Sequence, residues 1–342
     1  MEPFPFEMGP IRPVDENDSL LIRTTRGCPW NICEFCVNYK HMDFSMRTTA
    51  EIKKDIDSAA AYYGNHPFQS CFLQDGDSFI IETGTLLEIL TYLKKKFPYL
   101  QRISSYGRAQ TMVKKSYKEI KEICDAGLNT LYCGMESGSD KVLKRIRKGT
   151  TRKNIIKSAQ TAKQAGMQMS HFVISGLGGR ELWKEHALDT ASALNEINPH
   201  KIRVLTIGVK QGSGLEKQML QKKFSLQSEK EIIEEQRLLI QNLKEINSHY
   251  ANHHEVDLIL DARGQLPKDR AKLLAIMDRF LSLSEDDQIN FTLGRRLGYY
   301  RFLNDMMDEN RYNFVEAEVQ KVKTLYPDQL EVIFHQLRAK IV

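Results

Sequence analysis

Two rhythms of apolar residues alternate along this chain. Short stretches in which most residues are apolar or β-branched, SLLIRT (19–24), SCFLQ (70–74), RISSY (102–106), NTLYCGM (129–135), MQMSHFVIS (167–175) and KIRVLTIGV (201–209), read as strands. Between them apolar residues return every three or four positions, the spacing of one helix face. The first such pattern runs from about Thr49 to Tyr63, with Ile52, Ile56, Ala59 and Ala60 on the stripe. Others are LLEILTYLKKKF (86–97), YKEIKEICDAG (117–127, with Gly127 as a C-terminal stop), NIIKSAQTAKQAG (154–166), ELWKEHALDTASALNEI (181–197) and KEIIEEQRLLIQNLKEINSH (230–249).

Six strand–helix units in succession predict a parallel sheet with helical crossovers, and the units do not repeat in sequence, so no solenoid is expected. Right-handed crossovers curl such a sheet toward a barrel, and six units rather than eight predict an open α/β fold, a (β/α)6 partial TIM barrel with a C-terminal helical extension. The expected divisions are an N-terminal arm (1–18), the partial-barrel core (19–220), a helical extension closing the barrel (221–284) and a C-terminal helical segment (285–342).

Composition changes this picture little. Hydrophobic residues make up 41% of the 342 positions and charged residues 27%, ordinary values for a soluble globular chain. No apolar run approaches the roughly 20 residues of a membrane span, and the first residues lack a secretion-signal layout, so a cytoplasmic protein without a membrane partner is expected. The net charge of +5 is spread out, and KRIRK (144–148) reads as a solvated helix face. That charge leaves nucleic acid open as a partner without arguing for it.

The loops that follow the strands carry the chemistry. They read GCPWNICEFC, QDGDS, YGRA, MESGS, SGLGG and KQGSG, so small, polar and ligand-type residues collect at the C-terminal edge of the sheet. Parallel β/α folds place their sites there. Three of the six cysteines, Cys28, Cys33 and Cys36, fall within nine positions, whereas Cys71, Cys124 and Cys133 are isolated and read as small core hydrophobes. Three close thiolates suit either a zinc knot completed by His41 or an iron–sulfur cluster with one iron left open.

Three cysteines after the first strand, with an aromatic residue before the last, resemble the signature of the radical SAM superfamily. The usual spacing is C-x3-C-x2-C, and here the first gap is one residue longer, a variation seen in a few branches. IRPVDENDSLLIRTTRGCPWNICEFC, LQDGDS, SSYGRA, GMESGSDKVLKRIRKGTT, ISGLGG and QLPKDRAKLLAIMD, roughly residues 10–280, resemble one branch of it. That branch is related to the Elongator-type, methylthiotransferase and coproporphyrinogen-oxidase-like groups.

The resemblance implies a [4Fe-4S] cluster on Cys28, Cys33 and Cys36, with S-adenosylmethionine on the fourth iron. Reduction would then give a 5′-deoxyadenosyl radical that takes hydrogen from a substrate. Phe35 would shield the cluster. Gln74, Asp75, Gly76 and Asp77 stand where relatives receive the cofactor's amine, and Glu136 and Ser137 where they meet its ribose. Lys148, beside Arg147, stands where relatives carry an Arg toward the carboxylate, and Ile174, Gly176 and Gly178 would line the adenine. Ser137 and Ser139 also read as helix caps, and the loop after the sixth strand lacks the Pro that relatives carry.

Tyr106, Arg108, His171, Arg203 and Arg263 are candidates to face the substrate, with Asp261 beside the last. A lone His in an apolar strand is more often a satisfied core residue. The expected partners are a small-molecule substrate and an electron donor such as flavodoxin or ferredoxin. A radical SAM modifier of tRNA or protein is the alternative, with no second cysteine cluster to favour it. A non-catalytic zinc or iron–sulfur protein is the third reading.

Overall fold

The computed structural model, which describes residues 4–252 and 254–341, forms all six expected strands. They are β1 (Leu20–Arg23), β2 (Ser70–Gln74), β3 (Arg102–Tyr106), β4 (Leu128–Glu136), β5 (Gln168–Ser175) and β6 (Lys201–Thr206). Two more follow, β7 (His249–Asn252) and β8 (Arg263–Gln265), and the eight lie in chain order in a single sheet. β7 runs parallel to β6, and β8 turns back antiparallel to β7. The fold is the expected α/β class, an open and mostly parallel partial barrel, two strands longer than the apolar pattern alone implied.

Helices fill the crossovers, and their ends are written in the sequence. α1 (Thr49–Tyr63), α2 (Thr83–Lys96), α3 (Tyr117–Asp125), α4 (Arg152–Gln164), α5 (Gly179–Ile197) and α6 (Glu229–Asn242) follow the strands. α1, α3 and α6 start with reciprocal capping boxes, Thr48 with Glu51, Ser116 with Glu119 and Ser228 with Glu231. Each box satisfies two N–H groups that the first helical turn leaves open. α6 stops at Asn242, seven residues short of the expected end, where Leu243 turns to an extended conformation. The C-terminal helices are α7 (Arg270–Leu281), α8 (Glu285–Arg296), α9 (Glu309–Leu325) and α10 (Leu330–Lys340). Among the described residues no helix is long and apolar enough to cross a membrane.

The chain forms two compact units, Met1–Met135 with Gly149–His171, and Glu136–Lys148 with Phe172–Val342. In the first, β1 to β4 pair in parallel, in registers such as Leu20↔Cys71 and Cys71↔Ile103. Its N-terminal residues are tied down. Glu7 accepts from Arg23 and Arg26, each at 2.8 Å, and the fully buried Glu16 accepts from Ser19, Arg102 and Tyr132. A buried carboxylate is tolerated when donors surround it, as they do here. In the second unit α6 packs on both α5 and α7, and its first residue, Glu229, is buried with Arg296 and Arg338.

Candidate active site

The cysteine loop is a closed lobe. Just past β1, Thr25–Arg26 pairs antiparallel with Ser45–Met46, so residues 27–44 leave and return through one narrow neck. Inside it Asn31, at a left-handed φ of 43°, donates its side-chain amide to the Tyr39 carbonyl at 2.6 Å and the Met42 carbonyl at 3.3 Å. Asn is among the few residues that take this conformation readily. Cys28, Cys33 and Cys36 are half-buried on this lobe and form no disulfide, Phe35 is half-buried between them, and His41 is exposed.

Among the described residues no three His, Cys, Asp or Glu side chains are drawn together into a ready-made metal group. The thiols share one lobe without converging on one point. As a donor set they fit an iron–sulfur cluster: three soft sulfur ligands, none tied up in a disulfide, on a stapled loop beside the sheet edge.

The loop after β2 is laced to the base of this lobe. Asp75, fully buried at a left-handed φ of 83°, accepts from Arg23 Nε at 2.6 Å and from the Gly27 N–H at 3.2 Å. Burial pushes its carboxyl above the ordinary range, with the Arg23 guanidinium opposing. A non-glycine residue in that region carries strain and persists only where its surroundings hold it. Gly76 donates to the Gly27 carbonyl at 3.2 Å and lies flat against Cys28. A Cβ at position 76 would stand 2.9 Å from Cys28 Cβ and 3.1 Å from its Cα. Gly76→Ala is therefore expected to cost about 1–3 kcal/mol through overpacking and to lower iron incorporation, read by melting temperature and by iron per chain. Normal values of both would show that the contact is loose.

The remaining residues of this loop are engaged within the first unit. Gln74 exchanges hydrogen bonds with the Gly9 backbone, accepting at 2.9 Å and donating at 3.2 Å. Asp77, fully buried, accepts from the Thr111 hydroxyl and from the Arg108 N–H at 3.4 Å, and burial pushes it up to about 6. The acceptors this loop can still offer a ligand are main-chain carbonyls and Asp75 Oδ1, which is buried without a hydrogen-bond partner. Arg108 lies over the Trp30 ring at 5.6 Å, and Gly149 leaves room for that ring, since a Cβ there would meet it at 2.4 Å. Trp30 sits in the first gap of the cysteine motif, so the loop after β3 also packs against the lobe.

In the second unit Glu136, at a left-handed φ of 62°, accepts from Lys148 Nζ at 2.8 Å. The neighbouring Arg147 is exposed, so Lys148 is the cation beside the end of β4. Ser137 is hydrogen-bonded to His186 Nδ1 at 2.8 Å, while Ser139 caps the short helix Asp140–Arg145 and donates to Glu185. Ile174 is half-buried, and its carbonyl accepts from His186 at 3.1 Å. Gly176, at a φ of 88°, donates to Glu235 at 2.9 Å.

The candidates for substrate contact differ in burial. Tyr106 is half-buried against Phe72 and Tyr132, and Arg203 is buried over the Phe172 ring at 5.6 Å. His171 is fully buried with neither ring nitrogen hydrogen-bonded. Burial, with Lys163 of α4 adding to it, pulls its pKa down to about 4, so it is a neutral core residue. Arg263 is exposed on the edge strand and donates to the Leu260 carbonyl, and Asp261 accepts from the Leu303 N–H. His186 and Glu235 went unnoticed in the sequence. Their signal was there: each falls on the apolar stripe of its helix, among Ala187, Thr190 and Leu194 or among Ile232, Gln236 and Leu239.

Residues 22–191 match the family model of the radical SAM superfamily. An uncharacterized methyltransferase of Pyrococcus horikoshii is 28% identical over 156 residues, 45% of this chain and 32% of the relative. The bacteriochlorophyllide d C-8(2)-methyltransferase of Chlorobaculum tepidum is 26% identical over 166 residues, 46% of this chain and 35% of the relative. The chain thus spans about a third of the length of the curated relatives it matches. Among solved structures, coproporphyrinogen III oxidase from Escherichia coli superposes with a TM-score of 0.49 at 15% identity, over 65% of this chain and 50% of that one. Methylornithine synthase superposes with a TM-score of 0.47 at 19% identity, over 66% and 63%.

Proposed function

The chain belongs to the radical SAM superfamily, whose members carry a [4Fe-4S] cluster and S-adenosylmethionine, and from this premise we propose a reaction and its residues. The cluster is held by Cys28, Cys33 and Cys36, and the substrate is a small molecule from which hydrogen is taken. When bound, the cluster and S-adenosylmethionine supply the chemistry, an electron that splits the carbon–sulfur bond into methionine and a 5′-deoxyadenosyl radical. The observation that carries the reading is the double lacing of the cysteine lobe to the loop after β2, through Asp75 on Gly27 and Gly76 on Cys28.

The chain's own residues bind and orient. Asp77 is tied to Thr111 and Asp75 spends one oxygen on Arg23, so the carbonyls of Asp75 and Gly76, or the unpartnered Asp75 Oδ1, receive the cofactor's amine. Glu136 accepts from the ribose hydroxyls and Lys148 faces the carboxylate, their mutual ion pair keeping both in place until then. Phe35 keeps water from the cluster edge. A reduced flavodoxin or ferredoxin supplies the electron.

The test is anaerobic. Purified protein given S-adenosylmethionine and a strong reductant should release 5′-deoxyadenosine, and a colourless, zinc-loaded protein that releases none would sink the proposal. A second reading is supported by the names of both curated relatives: transfer of the cofactor's methyl group. It is distinguished by S-adenosylhomocysteine among the products. Salt-sensitive binding of tRNA would favour a nucleic-acid modifier over both.

A further inference from the structure

We propose that Glu235 and His186 form a buried brace that positions the loops after β4 and β5 for S-adenosylmethionine. The proposal rests on reading Glu136, Ile174 and Gly176 as cofactor contacts, and it assigns neither brace residue a contact of its own.

The hydrogen-bond roles follow from chemistry. His186 Nε2 lies 3.1 Å from the Ile174 carbonyl, which only accepts, so this nitrogen carries the proton. Nδ1 is then bare and receives the Ser137 hydroxyl at 2.8 Å. The Ser137 oxygen in turn accepts the Ser139 N–H at 3.0 Å. Glu235 Oε1 accepts the Gly176 N–H at 2.9 Å and stands 3.5 Å from His186 Nε2. One pair of helix residues thus grips a hydroxyl beside Glu136, a carbonyl of β5 and the amide of the left-handed Gly176. No side chain fits at position 176, since a Cβ there would meet Ile207 at 2.6 Å.

The brace is uncharged. Both side chains are at most 2% exposed, and Glu235 Oε2 has no hydrogen-bond partner. Among the described residues no Lys or Arg is paired with the carboxyl: its neighbours are the Gly176 amide, the Gln227 side chain and His186. Burial pushes Glu235 up to about 8 and pulls His186 down to about 4, so at neutral pH the first is an acid and the second a neutral imidazole. Gln227 faces Glu235, and its Oε1 is also buried without a donor. A neutral brace needs no water or counter-ion, so it holds backbone atoms in a dry place that an ionised pair would destabilise.

The test uses the full chain and three variants. Glu235→Gln keeps a donor and an acceptor of the same shape, whereas Glu235→Ala keeps neither, and Glu136→Ala probes the cofactor site itself. In cluster-reconstituted protein, Glu235→Ala should weaken S-adenosylmethionine binding about tenfold, the equivalent of one lost buried hydrogen bond, and Glu235→Gln by less than about twofold. In cluster-free protein, Glu235→Ala should speed hydrogen exchange at the Gly176 amide. A wild-type-minus-Glu235→Gln infrared difference spectrum near neutral pH should show a protonated carboxyl stretch. An ionised-carboxylate band alone, or equal losses in the Gln and Ala variants, overturns the neutral brace, and the spectrum decides this even if Glu235→Ala does not fold. If Glu136→Ala weakens binding and Glu235→Ala does not, the brace falls and the site stands. If exchange quickens but neither variant changes binding, the cofactor reading falls and takes the brace's role with it.

Discussion

Cys33→Ala is expected to abolish release of 5′-deoxyadenosine and to leave the chain without its brown, iron-bearing form. Iron–sulfur clusters are held by thiolates, and three of the usual four are all this lobe provides. Removing one leaves two anchors on a half-exposed loop, too few to keep the cluster from solvent and exchange. Partners outside the ligand shell already command about 10–100-fold in metal affinity or activity, so loss of a ligand should exceed about 100-fold. Cys33→Ser should fare little better, because a hydroxyl is a harder and poorer ligand than a thiolate. Cys71→Ala and Cys133→Ala are the controls: both thiols are fully buried in strands, outside the lobe. Iron and labile sulfide per chain, together with product release, check the prediction. Full iron in Cys33→Ala, or equal loss in Cys71→Ala, would show that the lobe does not hold the cluster.

What the sequence disclosed and what it hid divide along physical lines. β1 was legible because strands buried on both faces are apolar at almost every position, as Leu20, Leu21 and Ile22 are, whereas β3 buries Ser104 and Ser105 and showed itself only through the strand–helix alternation. β7 was hidden because the helical spacing of α6 runs on through Leu243 and Ile246, both buried, after the helix has ended. β8 is Arg263–Gln265, an edge strand with no bulky apolar residue, and nothing local marks it. At the site, the cysteine cluster and the polar strand ends could be read directly, since they are residue types at short spacing. Partner choice could not. Gln74 turns to Gly9, 65 positions away, and Asp75 to Arg23, 52 positions away, and no local pattern records such a pairing. Lys148 rather than Arg147 reaches Glu136 because Arg147 takes a left-handed turn that leaves it exposed.

Glu229→Ala should be among the most destabilising single changes outside the site, about 3–5 kcal/mol, because it strands buried cations. Glu229 is the first residue of α6, where a helix N-terminus already favours an anion. It accepts from Arg296 three times, at 3.0, 2.8 and 2.8 Å, and Arg338 Nη1 stands 3.4 Å away. Both guanidinium side chains are 0% exposed and the carboxylate 4%. Burial works against the charged carboxylate, but the Arg296 and Arg338 charges outweigh it and hold its pKa below the ordinary value of 4.5. A folded pKa below the unfolded one means stability that is complete above the unfolded value and lost as pH falls through the folded one. The gap between wild type and Glu229→Gln in denaturant midpoint should therefore be widest near neutrality and close as the pH drops below about 4.5. His335 adds an acid limb of its own sign. Burial pulls it from 6.5 down to about 4, so charging the unfolded chain already costs stability between those values, and somewhat more in Glu229→Gln, where the Glu229 charge no longer holds that pKa up. Arg338→Met is the informative partner variant. Burial pulls down the pKa of Arg338, and an apolar side chain of similar length removes the excess cation without stranding Glu229, which keeps Arg296. That change should cost far less than Glu229→Ala, and equal losses would mean that packing, not charge, holds this corner of the second unit together.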